Sequence, residues 1–215
     1  LTALREVLKK EGADYLLTSK LDDIAWIFNL RGSDVPDNPV FYAYSLIPAK
    51  GNATLFINEE KVPADLKEQL AEEGVVLAPY HSVGAALASL SSGTVLADPE
   101  EINASLLSRL PEQITQLELP NPIELMKALK TPEEIELISE AMLKDGVALV
   151  RFFAWLDRNL GKEEMTEQSL ADKLLYFRKS LPGYISLSFE TISAFGPNAA
   201  LPHYQPEKTG GAQIR

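Results

Sequence analysis

The sequence predicts an α/β domain with a mixed sheet, followed by the start of a second, α+β unit. Three observations carry this. Short apolar, β-forming runs alternate with amphipathic helical stretches as far as about residue 125, the pattern of a sheet covered by helices. A Lys50-Gly51-Asn52 turn joins two of these runs into an expected hairpin, which makes the sheet mixed rather than all parallel. Past Lys127 the pattern changes to one long helix, a second helix and a tail rich in β-formers and hydroxyls. The boundary is expected near Lys127, giving units of residues 1–127 and 128–215.

The elements follow in chain order. Leu1, Leu4 and Leu8 recur at helical spacing, with Gly12 placed as a C-terminal stop. Tyr15 to Thr18 suits a strand, and Lys20 to Asn29 suits helix or strand. Val40 to Pro48 and Ala53 to Ile57 are the two arms of the hairpin. Helices are expected over Val62 to Gly74, Ser82 to Leu90 and Asn103 to Leu110, with strands at Val75 to Pro79 and Thr94 to Ala97. Pro120-Asn121-Pro122 reads as loop punctuation before the exit from the domain.

Thr131-Pro132-Glu133-Glu134 is a strong helix start, with a hydroxyl cap, proline at the first helical position and a glutamate able to close a capping box. Ile135, Ile138, Met142, Leu149, Phe153 and Leu156 form its expected apolar face, which runs to about Asn159-Leu160-Gly161. Thr166 caps a second helix with Leu170, Leu174 and Phe177 inward. Tyr184 to Ala194 is expected as a strand, Phe195-Gly196-Pro197-Asn198 as a tight turn, and His203 on a strand just beyond it.

Composition narrows the function classes. The 215 residues are 46% hydrophobic and 24% charged, so a packed core is expected rather than disorder. Asp and Glu outnumber Lys and Arg by 31 to 20, and the resulting net charge of −11 argues against nucleic acid as a partner. With no cysteine, disulfides, thiolate metal sites and cysteine nucleophiles are excluded. No apolar run reaches the roughly 18 residues of a membrane span, and no signal peptide is visible at the N-terminus, so the cytoplasm is the expected compartment. The chain opens on Leu1 and closes on Gly210-Gly211-Ala212-Gln213-Ile214-Arg215, a loop-like stub, so it is expected to be a piece of a longer protein.

Few residues offer chemistry. His81, between Tyr80 and Ser82, reads as a structural residue beside a helix start. His203 is equally a structural residue or one held at a pocket wall. The acidic pairs Asp22-Asp23, Glu100-Glu101, Glu133-Glu134 and Glu163-Glu164 lie at helix starts or in loops, where they favour the helix dipole. There is no His-Glu-x-x-His pair, Gly-x-Ser-x-Gly elbow or Gly-x-x-x-x-Gly-Lys loop.

Three longer strings say more. Asp22-Asp23-Ile24-Ala25-Trp26-Ile27-Phe28-Asn29-Leu30-Arg31-Gly32-Ser33-Asp34, continuing to Asn38-Pro39-Val40-Phe41, resembles the second domain of three-domain Xaa-Pro aminopeptidases. Asp145-Gly146 through Arg151-Phe152-Phe153-Ala154-Trp155-Leu156, then Leu187 to Ser193, Gly196-Pro197-Asn198 and His203-Tyr204, resemble the opening of the same enzymes' catalytic domain. Glu190 and Pro202 depart from that pattern, which usually has proline and a β-branched residue there.

The resemblance implies a creatinase N-terminal-like, ribonuclease H-like domain and then an incomplete pita-bread metallopeptidase domain. It implies release of the first residue from peptides with proline in second position, by two divalent metal ions, commonly Mn(II), in a homodimer. The metal ligands are expected downstream of Arg215, so no metal ligand is expected in this chain and the piece alone is expected to be inactive. His203 resembles the family histidine that lines the substrate pocket and hydrogen-bonds the scissile region, which makes it the expected catalytic and substrate-binding residue. Arg31 is a second substrate-binding candidate, against the alternative that it pins its loop by an ion pair with Asp34 or Asp37. A proline dipeptidase on the same scaffold and a metal-free peptide- or protein-binding module are the competing readings.

Overall fold

Helix α1 (Thr2–Glu11) buries Leu4 and Leu8 and ends, as its spacing predicts, at Gly12 in the left-handed conformation. It opens the first of two units, Leu1–Leu129 and Lys130–Arg215, into which the chain divides in the computed structural model, which describes all of residues 1–215. The first unit continues with β1 (Tyr15–Thr18), α2 (Leu21–Ile27), β2 (Ala43–Pro48), β3 (Ala53–Ile57), α3 (Ala64–Glu72) and β4 (Val75–Pro79). Then come α4 (Val83–Ala88), β5 (Thr94–Ala97), α5 (Ala104–Leu107), β6 (Thr115–Leu117) and α6 (Pro122–Ala128). The undecided stretch after Lys20 is helical, and Asp22 and Asp23 in its first turn suit the positive end of the helix dipole.

The strands form one mixed sheet in the order β4-β3-β2-β1-β5-β6. β2 runs antiparallel to both β1 and β3, while β1–β5, β5–β6 and β3–β4 are parallel. Both faces are covered, so consecutive residues of one strand enter different cores. Leu16, Leu55 and Leu96 pack with α1, α2 and α3, whereas Leu17, Phe56 and Val95 pack with α4 and α5. This explains why the strands read as short apolar runs rather than as clean alternation. Two elements escape the sequence reading. β6 has no apolar run to announce it, and α6 is capped by Asn121, whose side chain accepts from the Ile123 amide, in what looks like loop punctuation.

The second unit contains α7 (Pro132–Asn159), β7 (Met165–Thr166), α8 (Glu167–Lys179) and β8 (Gln213–Ile214). The capping box at Thr131 and Glu134 forms as expected. α7 and α8 pack against each other, Ala148, Phe152, Ala171 and Leu174 are their buried apolar residues, and Arg178 grips Asp145 with two nitrogens at 2.6 and 3.2 Å. The expected apolar face of α7 is only partly covered, for Ile135, Ile138, Met142 and Phe153 remain exposed.

Three local expectations are corrected. Tyr184 to Ala194 is not a strand, and its apolar residues are largely open, with Ile185 81% and Phe189 67% exposed. A strand exists only through its ladder, and no other strand of the chain forms a ladder with this segment. His203 sits not on a strand but in an exposed turn after the 3-10 turn Gly196–Ala200. The terminal stub is no free loop, since Gln213 and Ile214 pair with Thr166 and Met165.

Candidate functional site

The segment carrying His203 is anchored on α8. Glu167, in the first turn of that helix, is fully buried, and its carboxylate receives hydrogen bonds from several parts of the tail. Oε1 accepts from the Phe195 amide at 2.6 Å and from Asn198 Nδ2 at 3.1 Å. Oε2 accepts from the Tyr204 hydroxyl at 2.6 Å, the Ala212 amide at 2.8 Å and Asn198 Nδ2 at 3.2 Å. Burial alone would raise the Glu167 pKa, but these donors outweigh it and hold it down at about 2. The Tyr204 hydroxyl, donating to a carboxylate, is pushed up to about 12. His203, next to Tyr204, is exposed and has a left-handed backbone with φ of 58°.

Glu167 escaped the sequence reading. Next to a threonine cap, an acidic residue looks like ordinary dipole stabilisation. The signals that could have found it lie far along the chain, in the donors Asn198 and Tyr204 and in the glycine pair that lets the backbone return.

Arg31 belongs to the other unit and lies exposed in the loop between α2 and β2. That loop folds on itself, with the Gly32 amide bonded to the Pro39 carbonyl and the Asp34 amide to the Val40 carbonyl. A Cβ at Gly32 would stand 2.7 Å from the Cβ of Phe41, so glycine permits the crossing beside Arg31. The alternative ion pair of Arg31 with Asp34 does not form. Asp34 accepts from the Tyr42 amide at 2.8 Å and pairs with Lys61 at 2.6 Å, and both hold its carboxyl below the usual range.

Carboxylates do gather in the first unit, where one oxygen each from Asp23, Glu101 and Glu124 lies within 4.8 Å of the others. Their charge is already met. Lys127 pairs with Asp22 and, at 2.6 Å, with Asp23, while Lys20 pairs with Glu124 and lies 3.6 Å from Glu101. Asn121 Nδ2 donates to Thr18, Asp23 and Glu101 at 3.0 to 3.2 Å. Burial leads in raising the Glu101 pKa. This is a polar clasp joining α6 to β1 and α2, with cations of the protein's own in place of a metal.

Within the second unit, α7, α8 and the 181–192 segment enclose a groove of about 870 Å³. Leu137, Met142, Leu174, Phe189 and Ile192 give it an apolar wall, and His203 does not line it.

Residues 1–134 match the Creatinase/Prolidase N-terminal domain family, and residues 136–214 match metallopeptidase family M24. The chain is 38% identical to Xaa-Pro aminopeptidase 1 of Dictyostelium discoideum, covering 100% of this chain and 34% of that protein. It is also 38% identical to Xaa-Pro aminopeptidase ApepP of Drosophila melanogaster, over 98% of this chain and 35% of the relative. A crystal structure of X-prolyl aminopeptidase from Caenorhabditis elegans, described as a cytosolic enzyme with a di-nuclear active site, superposes with a TM-score of 0.88 at 32% identity. That superposition covers 98% of this chain and 35% of the other. The chain thus spans about a third of the length of the curated relatives it matches. No helix is long and apolar enough to cross a membrane.

Proposed function

This chain belongs to the creatinase/prolidase and M24 metallopeptidase family, and we propose that it forms part of an aminopeptidase that removes the first residue from peptides with proline in second position. The observation that carries this reading is the 38% identity to Xaa-Pro aminopeptidase 1 along the whole chain, through both units. In this reading His203 lines the substrate pocket, where an imidazole N–H steadies the oxygen that gains charge as the peptide carbonyl is attacked. Arg31, exposed and without an acidic partner, is the second candidate for reading the peptide.

A pair of divalent ions, with Mn(II) the expected metal, supplies the attacking water in such enzymes. The residues of this chain do not fit that centre. The carboxylates that gather in the first unit are held by Lys20, Lys127 and Asn121, and Glu167 is filled by donors. In this reading the metal ligands belong to the part of the polypeptide beyond Arg215. A cytoplasmic location belongs to the same proposal, supported by the description of the nematode protein as cytosolic. Homodimerisation rests on the family likeness alone.

The test is hydrolysis of an Arg-Pro-Pro peptide by the complete polypeptide that contains these residues, metal-free and with added manganese, beside a His203→Ala variant. Release of the first residue should depend on metal and fall by about 100-fold or more on substitution, the usual range for a lost acid–base or hydrogen-bonding group. No turnover under any metal condition would sink the proposal in favour of a peptide-binding module.

A further inference from the structure

Between Phe195 and Tyr204 the tail has little to hold it in place by packing. Leu201 is more than half exposed, Phe195 is over a third exposed, and no ladder runs through the segment. Its side-chain ties to α8 converge instead on one buried group. The Phe195 amide, the Asn198 amide group and the Tyr204 hydroxyl all donate to the Glu167 carboxylate, from before and after the turn that holds His203. Asn198 Nδ2 also donates to the Tyr204 hydroxyl at 3.1 Å, so the three side chains close a ring.

The far end of the tail returns to the same place. The Ala212 amide donates to Glu167 Oε2, and the Glu167 and Gln168 amides donate to the carbonyls of Ala212 and Gly210. A Cβ at Gly211 would stand 2.7 Å from Glu167 Oε2, and its φ is +70°, so only glycine lets the backbone pass this close. A left-handed residue such as His203 persists where its surroundings over-determine it, and here Tyr204, its neighbour, is fixed on Glu167.

We propose that Glu167 is the positioning residue for His203: a buried carboxylate that touches no substrate and locks the 195–204 segment to α8, thereby setting where the imidazole is presented. This rests on the reading of His203 as a residue of the substrate pocket. It goes beyond that reading by assigning the histidine's placement to a side chain 36 positions earlier, as the numbering shows.

Two measurements test it. In the first, amide exchange is followed by NMR in this chain with Glu167→Gln and with Tyr204→Phe. A glutamine presents hydrogens where Glu167 accepts them, so protection of the Phe195 and Ala212 amides should fall by about tenfold or more, with Leu170 to Phe177 unchanged. Tyr204→Phe leaves the carboxylate in place, should loosen Phe195 severalfold, and decides the matter if the glutamine variant loses α8 as well. Unchanged protection of Phe195 in both variants overturns the proposal.

The second uses the complete polypeptide and the Arg-Pro-Pro peptide, with Glu167→Gln and His203→Ala singly and together. Glu167→Gln should lower kcat while changing KM by less than about twofold, and should have almost no further effect once His203 is gone. Losses that multiply in the double variant overturn the positioning role, because a merely structural residue acts regardless of His203. A His203→Ala enzyme with full turnover would instead refute the pocket reading and the catalytic purpose of Glu167 with it. Exchange at Phe195 would still judge the lock by itself.

Discussion

At the scale of single residues, the informative groups are buried charges whose partners come from distant sequence. Glu167 has a folded pKa of about 2 against an ordinary 4.5, so the stability it contributes is present above about pH 4.5 and is lost as pH falls toward 2. Tyr204 has the opposite sense. Its pKa is raised from 10.0 to about 12, so its contribution is complete below pH 10 and is lost as pH rises through about 12. The chemical shifts of the Phe195 and Ala212 amides should therefore be flat across the neutral range and move in acid with a midpoint near 2. A midpoint near 4.5 would show that the carboxylate is not held by its donors. Asn121 and Asp23 form the corresponding buried clasp of the first unit, but there lysines balance the charge.

At the scale of elements, local signals and partners divide the outcome. The start of α7 is local, because Thr131 accepts from the Glu134 amide at 3.2 Å while the Glu134 carboxylate accepts from the Thr131 amide at 2.8 Å. Thr131→Ala should destabilise that helix by about 1 kcal/mol. The loss should be read as faster amide exchange in its first turn, and an unchanged rate would contradict the role of the cap. The 184–194 segment illustrates the other case. Its β-branched and aromatic residues favour extended backbone, yet without a neighbouring edge it forms no ladder. Along α7, too, an apolar face predicted from spacing is buried only where α8 lies against it.

At the scale of the whole molecule, the two units bury their apolar side chains to different extents. Leu16, Ile47, Leu55 and Leu96 are essentially inaccessible in the first unit, whereas Leu143, Val150, Ile185 and Phe189 are mostly exposed in the second. The slowest amides should therefore lie in β1, β2, β3 and β5, with those of residues 181–194 exchanging rapidly. Slow exchange confined to 181–194 would contradict this account of the second unit. By itself, the sequence determined the alternation of strands and helices, the hairpin, the stop at Gly12, both threonine caps and the family likeness. Each of these is written in spacing, in a turn or in contiguous residues. Only the tertiary structure decided the sheet order, the short β6, the cap at Asn121, the pairing of Asp34 with Lys61 and the gathering of Phe195, Asn198, Tyr204 and Ala212 on Glu167. Those depend on which distant groups a fold brings within hydrogen-bonding distance, and a buried carboxylate has the same local sequence as one in water.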